Sequence, residues 1–177
     1  MPQMSGGSRR PIIGIMGASD SSRENMIAAR ELGRLLAERG WIVLTGGRPA
    51  GVMAAACEGA KQVPHSMTLG ILPGSHNDAA ADVDLAVFTG MGDARNVINV
   101  LTSDVIVACG VDSAGTASEV SLALVSGTPL ILLGASEAAR EFFGQLRTPG
   151  RIFQAATPQE ATDLLERELG IRRLSWR

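Results

Sequence analysis

The sequence predicts an α/β fold in which one parallel sheet of seven strands is covered by helices on both faces, giving three layers. Short apolar runs alternate with longer segments of helical pattern, and this alternation is typical of parallel sheets buried on both sides. Many of the 21 glycines stand at the ends of the apolar runs, where tight turns are expected. The length of 177 residues, 45% of them hydrophobic, suffices for one domain and leaves no room for a second.

The strands are predicted at short apolar runs without polar alternation, a pattern that indicates burial on both faces. In chain order these runs are Pro11–Gly17, Trp41–Leu44, Met67–Leu72, Leu85–Phe88, Asp104–Cys109, Pro129–Leu133 and Arg151–Ala155.

Six helices are predicted between and after these strands, where apolar residues recur every three or four positions. Three of these segments also begin with a Ser/Thr-x-x-Glu pattern, which is typical of helix starts. The helices are Ser22–Arg39, with Ala28, Leu32, Leu35 and Leu36 on one face, and Gly51–Ala60, Gly92–Leu101, Thr116–Val125, Glu137–Gln145 and Thr157–Leu169. Residues 1–10 are expected to form a disordered leader, 11–170 the single domain and 171–177 a C-terminal tail.

Composition argues against several classes of function. The net charge of −2, the 3% aromatic content and the absence of Tyr disfavour a nucleic-acid partner. No apolar run approaches the about 18 residues of a membrane span, and the polar N-terminus does not resemble a signal peptide. Cys57 and Cys109 form no CxxC pattern, and His65 and His76 are too far apart for a helical ligand pair. We therefore expect a cytoplasmic protein with neither a disulfide framework nor a metal site.

Four loops that follow predicted strands are rich in glycine and small polar residues. Because ligands bind outside the carboxyl ends of the strands in such sheets, this coincidence is the strongest functional signal in the sequence. A glycine-rich turn that enters a helix offers backbone N–H groups and a helix dipole to a phosphate. The loops are Gly17–Asp20, Gly46–Gly51, Thr89–Gly92 and Gly110–Thr116.

Named nucleotide motifs fail in these loops. Gly46 and Gly51 have P-loop spacing, but Val52 and Met53 stand where Lys and Ser/Thr are required. The first strand lacks a GxGxxG turn and the second lacks a terminal acid, so NAD is not expected. No GxSxG elbow occurs. The remaining hypothesis is a phosphorylated ligand that is bound without a P-loop lysine.

Two side chains have both a structural and a functional interpretation. Between residues 40 and 139 the only lysines and arginines are Arg48, Lys61 and Arg95. Arg95 could lie on a solvated helix face with Asn96 and Asn99, opposite the apolar Val97, Val100 and Leu101, or it could hold a phosphate in a fork geometry. Glu119 could close a capping box with Thr116, or it could serve as an acid, a base or a ribose ligand. Asp93 and Asp112 are interpreted as helix caps.

The chain resembles a known superfamily at three places. These are the Gly46-Gly47-x3-Gly51-Val52-Met53-x3-Cys57-x-Gly59-Ala60 segment, the Arg95-Asn96 pair and the Gly115-Thr116-x2-Glu119 segment. Together they resemble the Rossmann-like superfamily of the Lonely Guy (LOG) proteins, long mislabelled lysine decarboxylases.

The resemblance implies a strand order of 3-2-1-4-5-6-7 and a homo-oligomer, either a dimer or a tetramer. The enzymes of the superfamily are phosphoribohydrolases, which release a free base and ribose 5-phosphate from a nucleoside 5′-monophosphate. In that case Glu119 and Arg95 would be catalytic, and the phosphate would rest on the amides of residues 115–118. Lysine decarboxylation is not expected, because Lys61 is the only lysine and lies near a helix end.

Two departures point to another branch of the superfamily. The PGG of the enzymes is replaced by Gly110-Val-Asp-Ser-Ala114, and their Arg-Lys pair by Arg95-Asn96. Both traits are more similar to the molybdenum-cofactor carrier proteins. The first hypothesis is therefore a binding protein for a phosphorylated pterin or nucleotide. The bound ligand would be molybdopterin, molybdenum cofactor or a nucleoside monophosphate, and no cofactor would be required for function. The alternative is a phosphoribohydrolase. Ligand or phosphate contacts are expected from Gly17, Ala18, Ser19, Gly46, Gly47, Arg48, Gly51, Val52, Met53, Thr89, Met91, Arg95, Asn96, Gly115, Thr116, Ala117, Ser118 and Glu119.

Overall fold

The computed structural model describes residues 9–76, 78–146, 148 and 150–175, with side chains described as far as residue 170. The strands are β1 (Ile12–Met16), β2 (Ile42–Thr45), β3 (Met67–Leu72), β4 (Leu85–Phe88), β5 (Val105–Cys109), β6 (Leu130–Leu133) and β7 (Ile152–Ala155). The helices are α1 (Arg23–Glu38), α2 (Gly51–Ala60), α3 (Asn96–Thr102), α4 (Ala114–Ser126), α5 (Glu137–Gly144) and α6 (Pro158–Ser175). The seven strands pair in parallel, which confirms the predicted fold class.

The order of the strands is β4-β3-β2-β1-β5-β6-β7, so the position of the fourth strand in the expected order was wrong. The fourth strand was expected beside the first, but β4 pairs with the outer side of β3, where Leu69 faces Leu85. The difference arises because the chain adds β4 to this edge before it crosses to the other side of β1. It is therefore β5, and not β4, that lies next to β1.

The sheet is buried on both faces by two separate apolar layers. Along β5 the side chains of Val105 and Val107 pack into the layer beneath α1, α2 and α6. Ile106 and Ala108, one position away, pack into the opposite layer beneath α3, α4 and α5. All of these side chains are fully buried, which explains why the strands appear as continuous apolar runs in the sequence.

Three helices differ from the sequence predictions by more than one residue at an end. The segment predicted as one helix over Gly92–Leu101 begins with a 3-10 turn, Gly92–Arg95, before α3. Helix α4 begins two residues earlier than predicted, because Ser113 rather than Thr116 is its N-cap residue. Helix α6 continues to Ser175, through most of the predicted tail, since no glycine or proline follows Gly170.

The predicted leader lies mostly outside the described residues, which begin at Arg9. Arg9 forms an ion pair with Asp104 at 2.6 Å, and the Nε of Arg10 donates to the carbonyl of Gly40 at 2.6 Å. The last two residues of the predicted leader therefore contact the end of the sheet at which the strands begin. Within the described part of the chain, no helix has the length and apolar character needed to cross a membrane.

Candidate ligand-binding cleft

A cleft of about 420 Å³ opens at the carboxyl ends of the strands, where the loops after β1, β2, β4 and β5 meet. This size lies within the range of small-molecule sites. Its lining includes eleven of the residues expected from the sequence, namely Gly17, Ala18, Ser19, Gly46, Arg48, Met53, Arg95, Asn96, Gly115, Thr116 and Glu119.

The loops after β1 and β2 are joined at the start of α2. The N–H of Val52 donates to the carbonyl of Ala18 at 3.1 Å. Gly51 has a φ of 56°, and a Cβ at this position would lie 2.1 Å from the same carbonyl oxygen. Gly51 and Val52 therefore contribute to the site by fixing the two loops against each other, and neither lines the cleft.

Arg95 is a buried cation in the wall of the cleft. Only 6% of the residue is exposed, and its guanidinium lies directly against Gly46, where a Cβ would approach Nη1 to 2.5 Å. Its Nε and Nη1 have no hydrogen-bond partner among the described residues. Buried polar atoms are normally satisfied, and a guanidinium is suited to bidentate binding of a phosphate or carboxylate. Arg95 is therefore prepared to hold an anion.

Helices α3 and α4 are connected through polar side chains. The Nδ2 of Asn96 donates to the Oγ of Ser118 at 2.8 Å, and the Nδ2 of Asn99 donates to the Oε1 of Glu119 at 2.8 Å. The polar face of α3 is thus buried, and its interpretation as a solvated face is wrong. Leu101, which was expected on the buried apolar face, is instead 65% exposed.

Glu119 does not cap its helix. The Oγ of Ser113 accepts the N–H of Thr116 at 3.2 Å, so α4 begins before the Thr116-x-x-Glu119 pattern. Glu119 then lies in the second turn, 6% exposed, with its Oε1 4.0 Å from the Nη1 of Arg95. The capping interpretation of Glu119 is therefore wrong.

The same pattern does form a cap at α6. There the Oγ1 of Thr157 accepts the N–H of Glu160 at 3.2 Å, and the Glu160 carboxylate accepts the N–H of Ala156 at 2.8 Å. The contrast shows that the pattern alone does not separate a capping glutamate from one that faces a cleft.

The electrostatics of the cleft are dominated by the burial of Glu119 and Arg95. Burial raises the pKa of Glu119 to about 7, opposed by the hydrogen bond from Asn99 and by the charge of Arg95. Burial lowers the pKa of Arg95, and the like charge of Arg48 acts in the same direction. Glu119 can therefore exchange a proton near neutral pH, and an anion bound beside Arg95 and Arg48 would offset the repulsion between these two cations.

The remaining expected contacts lie around the cleft without lining it. Gly47 packs against Leu72 on the β3 side. The Oγ1 of Thr89 donates to the Leu72 carbonyl at 2.8 Å, and Met91 is exposed beyond it. The N–H of Ala117 bonds to the carbonyl of Ser113. Some of the backbone N–H groups of residues 115–118, which were expected to bind the phosphate, therefore already form hydrogen bonds within the first turn of α4.

Several residues of the site were missed or interpreted differently from the sequence. The side chain of Asp112 accepts hydrogen bonds from Ser21 at 3.1 Å and Asn25 at 3.4 Å, so it does not cap α4, and the 3-10 turn that contains Asp93 has no side-chain cap. The sequence could have indicated that Asp112 and Asp93 line the cleft only through their positions, since Asp112 follows β5 and Asp93 follows β4. The lining residues not expected from the sequence are Met16, Asp20, Asp93, Asp112 and Ser113.

Other reactive side chains are unsuited to the site. Cys57 and Cys109 are buried free thiols, and burial raises their pKa values to about 11 and about 12. A thiol with such a pKa is a poor nucleophile at neutral pH. His65 and His76 are exposed loop residues, and no group of three or more His, Cys, Asp or Glu in the described ranges could hold a metal ion.

Fold and cleft define a Rossmann-like α/β protein whose candidate site lies at the carboxyl edge of its sheet. A sequence model of the SLOG cluster4 family matches residues 10–162, so the chain belongs to that family. This assignment confirms the resemblance to the LOG superfamily.

The solved structures that are similar to this chain include proteins that bind or carry molybdenum cofactor. The molybdenum cofactor binding protein of Rippkaea orientalis is 41% identical with a TM-score of 0.87, over 92% of this chain and 99% of that one. The Moco carrier protein of Chlamydomonas reinhardtii is 42% identical with a TM-score of 0.85, over the same shares of the two chains. An uncharacterised protein of Archaeoglobus fulgidus is 37% identical over 115 residues, which are 65% of this chain and 74% of that protein.

Proposed function

We propose that the protein binds a phosphorylated pterin or nucleotide without converting it, and that it acts as a carrier of molybdenum cofactor. The observation that carries the proposal is Arg95, a buried residue in the lining of the cleft whose Nε and Nη1 have no hydrogen-bond partner among the described residues. A desolvated cation of this kind is stabilised by a bound anion such as a phosphate. The similarity to molybdenum-cofactor binding proteins supports the choice of cargo.

Residues from three loops would hold the cargo. Arg95 and Arg48 would bind the phosphate, and Gly115 at the start of α4 would let the phosphate approach the helix N-terminus closely. The Oγ of Ser113, which accepts the N–H of Thr116 as the cap of α4, would compete with the phosphate for that N–H.

A nucleoside-monophosphate phosphoribohydrolase is the second candidate, and one observation favours it. Glu119 has a pKa of about 7 and lies 4.0 Å from Arg95. Ionised Glu119 could accept a proton from a water molecule as the water oxygen attacks the anomeric carbon. The bond from that carbon to the base nitrogen breaks, its electron pair leaves with the base, and the base takes up a proton from solvent. Arg95 would position the 5′-phosphate.

Incubation with AMP separates the two candidates. The purified protein is incubated with AMP, free adenine is measured by chromatography, and the melting temperature is recorded in parallel. Binding without turnover raises the melting temperature and releases no adenine. Adenine in excess of a Glu119→Gln control would instead show a phosphoribohydrolase.

Loading with molybdenum cofactor tests the carrier proposal. The cofactor is released from a purified molybdoenzyme, mixed with the protein and passed through a desalting column, and retained molybdenum is measured by mass spectrometry. The wild type is expected to retain molybdenum and Arg95→Met to lose it, whereas Arg140→Met, altered at an exposed position of α5, should behave as the wild type. Equal retention by all three proteins would contradict the proposal.

We also propose a cytoplasmic homo-oligomer that needs no nucleic-acid partner. Leu101 on α3 and Val125 on α4 are 65% and 74% exposed, and they are candidates for an interface between copies. Light scattering should show a dimer or tetramer for the wild type and smaller species for Leu101→Glu or Val125→Glu. A monomeric wild type would refute the oligomer.

A further inference from the structure

The candidate cleft contains one pair of buried side chains of opposite charge. Arg95 and Glu119 are each 6% exposed, and the Nη1 of Arg95 lies 4.0 Å from the Oε1 of Glu119. Among the described residues, the Glu119 carboxylate accepts one hydrogen bond, which the Nδ2 of Asn99 donates to Oε1. The Nε and Nη1 of Arg95 have no partner in the same part of the chain. The carboxylate therefore keeps one oxygen, and the guanidinium two nitrogens, for a ligand.

The other charged side chains that line the cleft belong to exposed residues. They are Asp20, Arg48, Asp93 and Asp112. From α3, the side chains bonded to α4 are the neutral amides of Asn96 and Asn99. Solvent and salt screen the exposed charges, whereas two charges that are both buried interact strongly. Of the carboxylates in the cleft, Glu119 therefore interacts most strongly with an anion bound at Arg95.

An anion on Arg95 introduces a second negative charge beside Glu119. In the ligand-free protein, burial raises the pKa of Glu119 to about 7 against the charge of Arg95, and the like charge of Asp93 acts in the same direction as burial. A phosphate bound to Arg95 offsets this cation and repels the carboxylate, and both effects raise the pKa further. Protonated Glu119 also has an O–H group that a phosphate oxygen can accept. Phosphate binding and protonation of Glu119 therefore favour each other.

We propose that the cleft takes up one proton together with its phosphate, that Glu119 holds this proton, and that a rise in pH releases the ligand. The proton comes from solvent and binds a carboxylate oxygen, and no covalent bond of the ligand changes. Where Glu119 is already protonated, binding needs no uptake; at higher pH each ligand must bind with a proton, so the affinity falls. The inference rests on the proposed function, since it requires a phosphate at Arg95.

Calorimetric titration with GMP tests the proposal, because the heats in two buffers of different ionisation enthalpy give the number of protons taken up. HEPES and Tris at about pH 7.5 are suitable, since a phosphate monoester with a second pKa of about 6 is almost wholly dianionic there. The wild type should take up about half a proton or more per ligand, and its Kd should rise about fivefold from about pH 7 to pH 8.5. Glu119→Gln should take up almost none and keep nearly the same Kd.

Asp93→Asn is the matched control, because it removes an exposed carboxylate from the same cleft. It should change the Kd by a similar factor at each pH and retain the proton uptake. Binding of GMP without proton uptake by the wild type, or undiminished uptake by Glu119→Gln, overturns the role of Glu119 and leaves the proposed function standing. If neither GMP nor dihydroneopterin monophosphate binds at about neutral pH, the inference and the proposed function both fail.

Discussion

Replacing Glu119 by glutamine should remove a large pH dependence from the stability of the ligand-free protein. Burial raises the pKa of the folded carboxyl to about 7, from an ordinary value of 4.5. Because the folded state then holds its proton more tightly than the unfolded state, Glu119 contributes its full stabilisation below about pH 4.5 and loses it as the pH rises through about 7.

The size of the effect follows from the two pKa values. Between about pH 5 and pH 8 the linkage relation gives a loss of about 2.5 kcal/mol in the free energy of unfolding. Glutamine has nearly the same shape and does not titrate. The Oδ1 of Asn99 has no hydrogen-bond partner among the described residues, so a rotated Asn99 amide could accept from the new Gln N–H.

Urea unfolding of the wild type and Glu119→Gln at a series of pH values measures this contribution. Other titrating groups are common to both proteins, so the difference between them isolates Glu119. Relative to the variant, the wild type should lose about 2.5 kcal/mol from about pH 5 to pH 8. Glu141→Gln, at an exposed position on α5, should follow the wild type. A difference constant with pH would refute a buried, proton-holding Glu119.

Three further substitutions test other parts of the structure. Gly46→Ala places a Cβ 2.5 Å from the Nη1 of Arg95. The GMP affinity measured by calorimetry should therefore fall at least about tenfold, while the circular dichroism spectrum is retained. Undiminished affinity would contradict this contact. Ser113→Ala should cost about 1 kcal/mol in urea unfolding through loss of the α4 cap, and no change would favour Thr116 as the cap. Lys61→Ala should leave nucleotide affinity unchanged, because Lys61 pairs with Asp84 near the amino ends of the strands; weaker binding would contradict that placement.

Much of the fold follows from local sequence pattern. Helix Gly51–Ala60 and the strands Met67–Leu72 and Leu85–Phe88 have the bounds that the sequence predicts, because buried apolar runs and their flanking residues are local signals. The place of β4 at the edge is not local, since it depends on where the chain crosses the sheet. Periodicity does not contain that information.

Only those features of the site that depend on the loops after the strands could be predicted from the sequence. The glycine-rich turns after the strands lie where the sequence predicts a ligand site, and Arg95 and Glu119 line a cleft at that place. The role of Glu119 depends on whether α4 starts at Ser113 or Thr116, and both residues fit a capping pattern. Asn99 and Asp112 were missed because their roles arise from contacts with other helices, which no spacing along the chain reveals.

Calorimetric titration of GMP into the wild type, Arg95→Gln and Arg140→Gln would test most directly whether the cleft holds a phosphate on its buried arginine. Loss of hydrogen bonds to a charged group costs about 1.5–3 kcal/mol, which corresponds to a rise in Kd of roughly ten- to a hundredfold for Arg95→Gln. Arg140→Gln, altered at an exposed site outside the cleft, should bind as the wild type does. Equal affinity of the wild type and Arg95→Gln would contradict an anion site at Arg95.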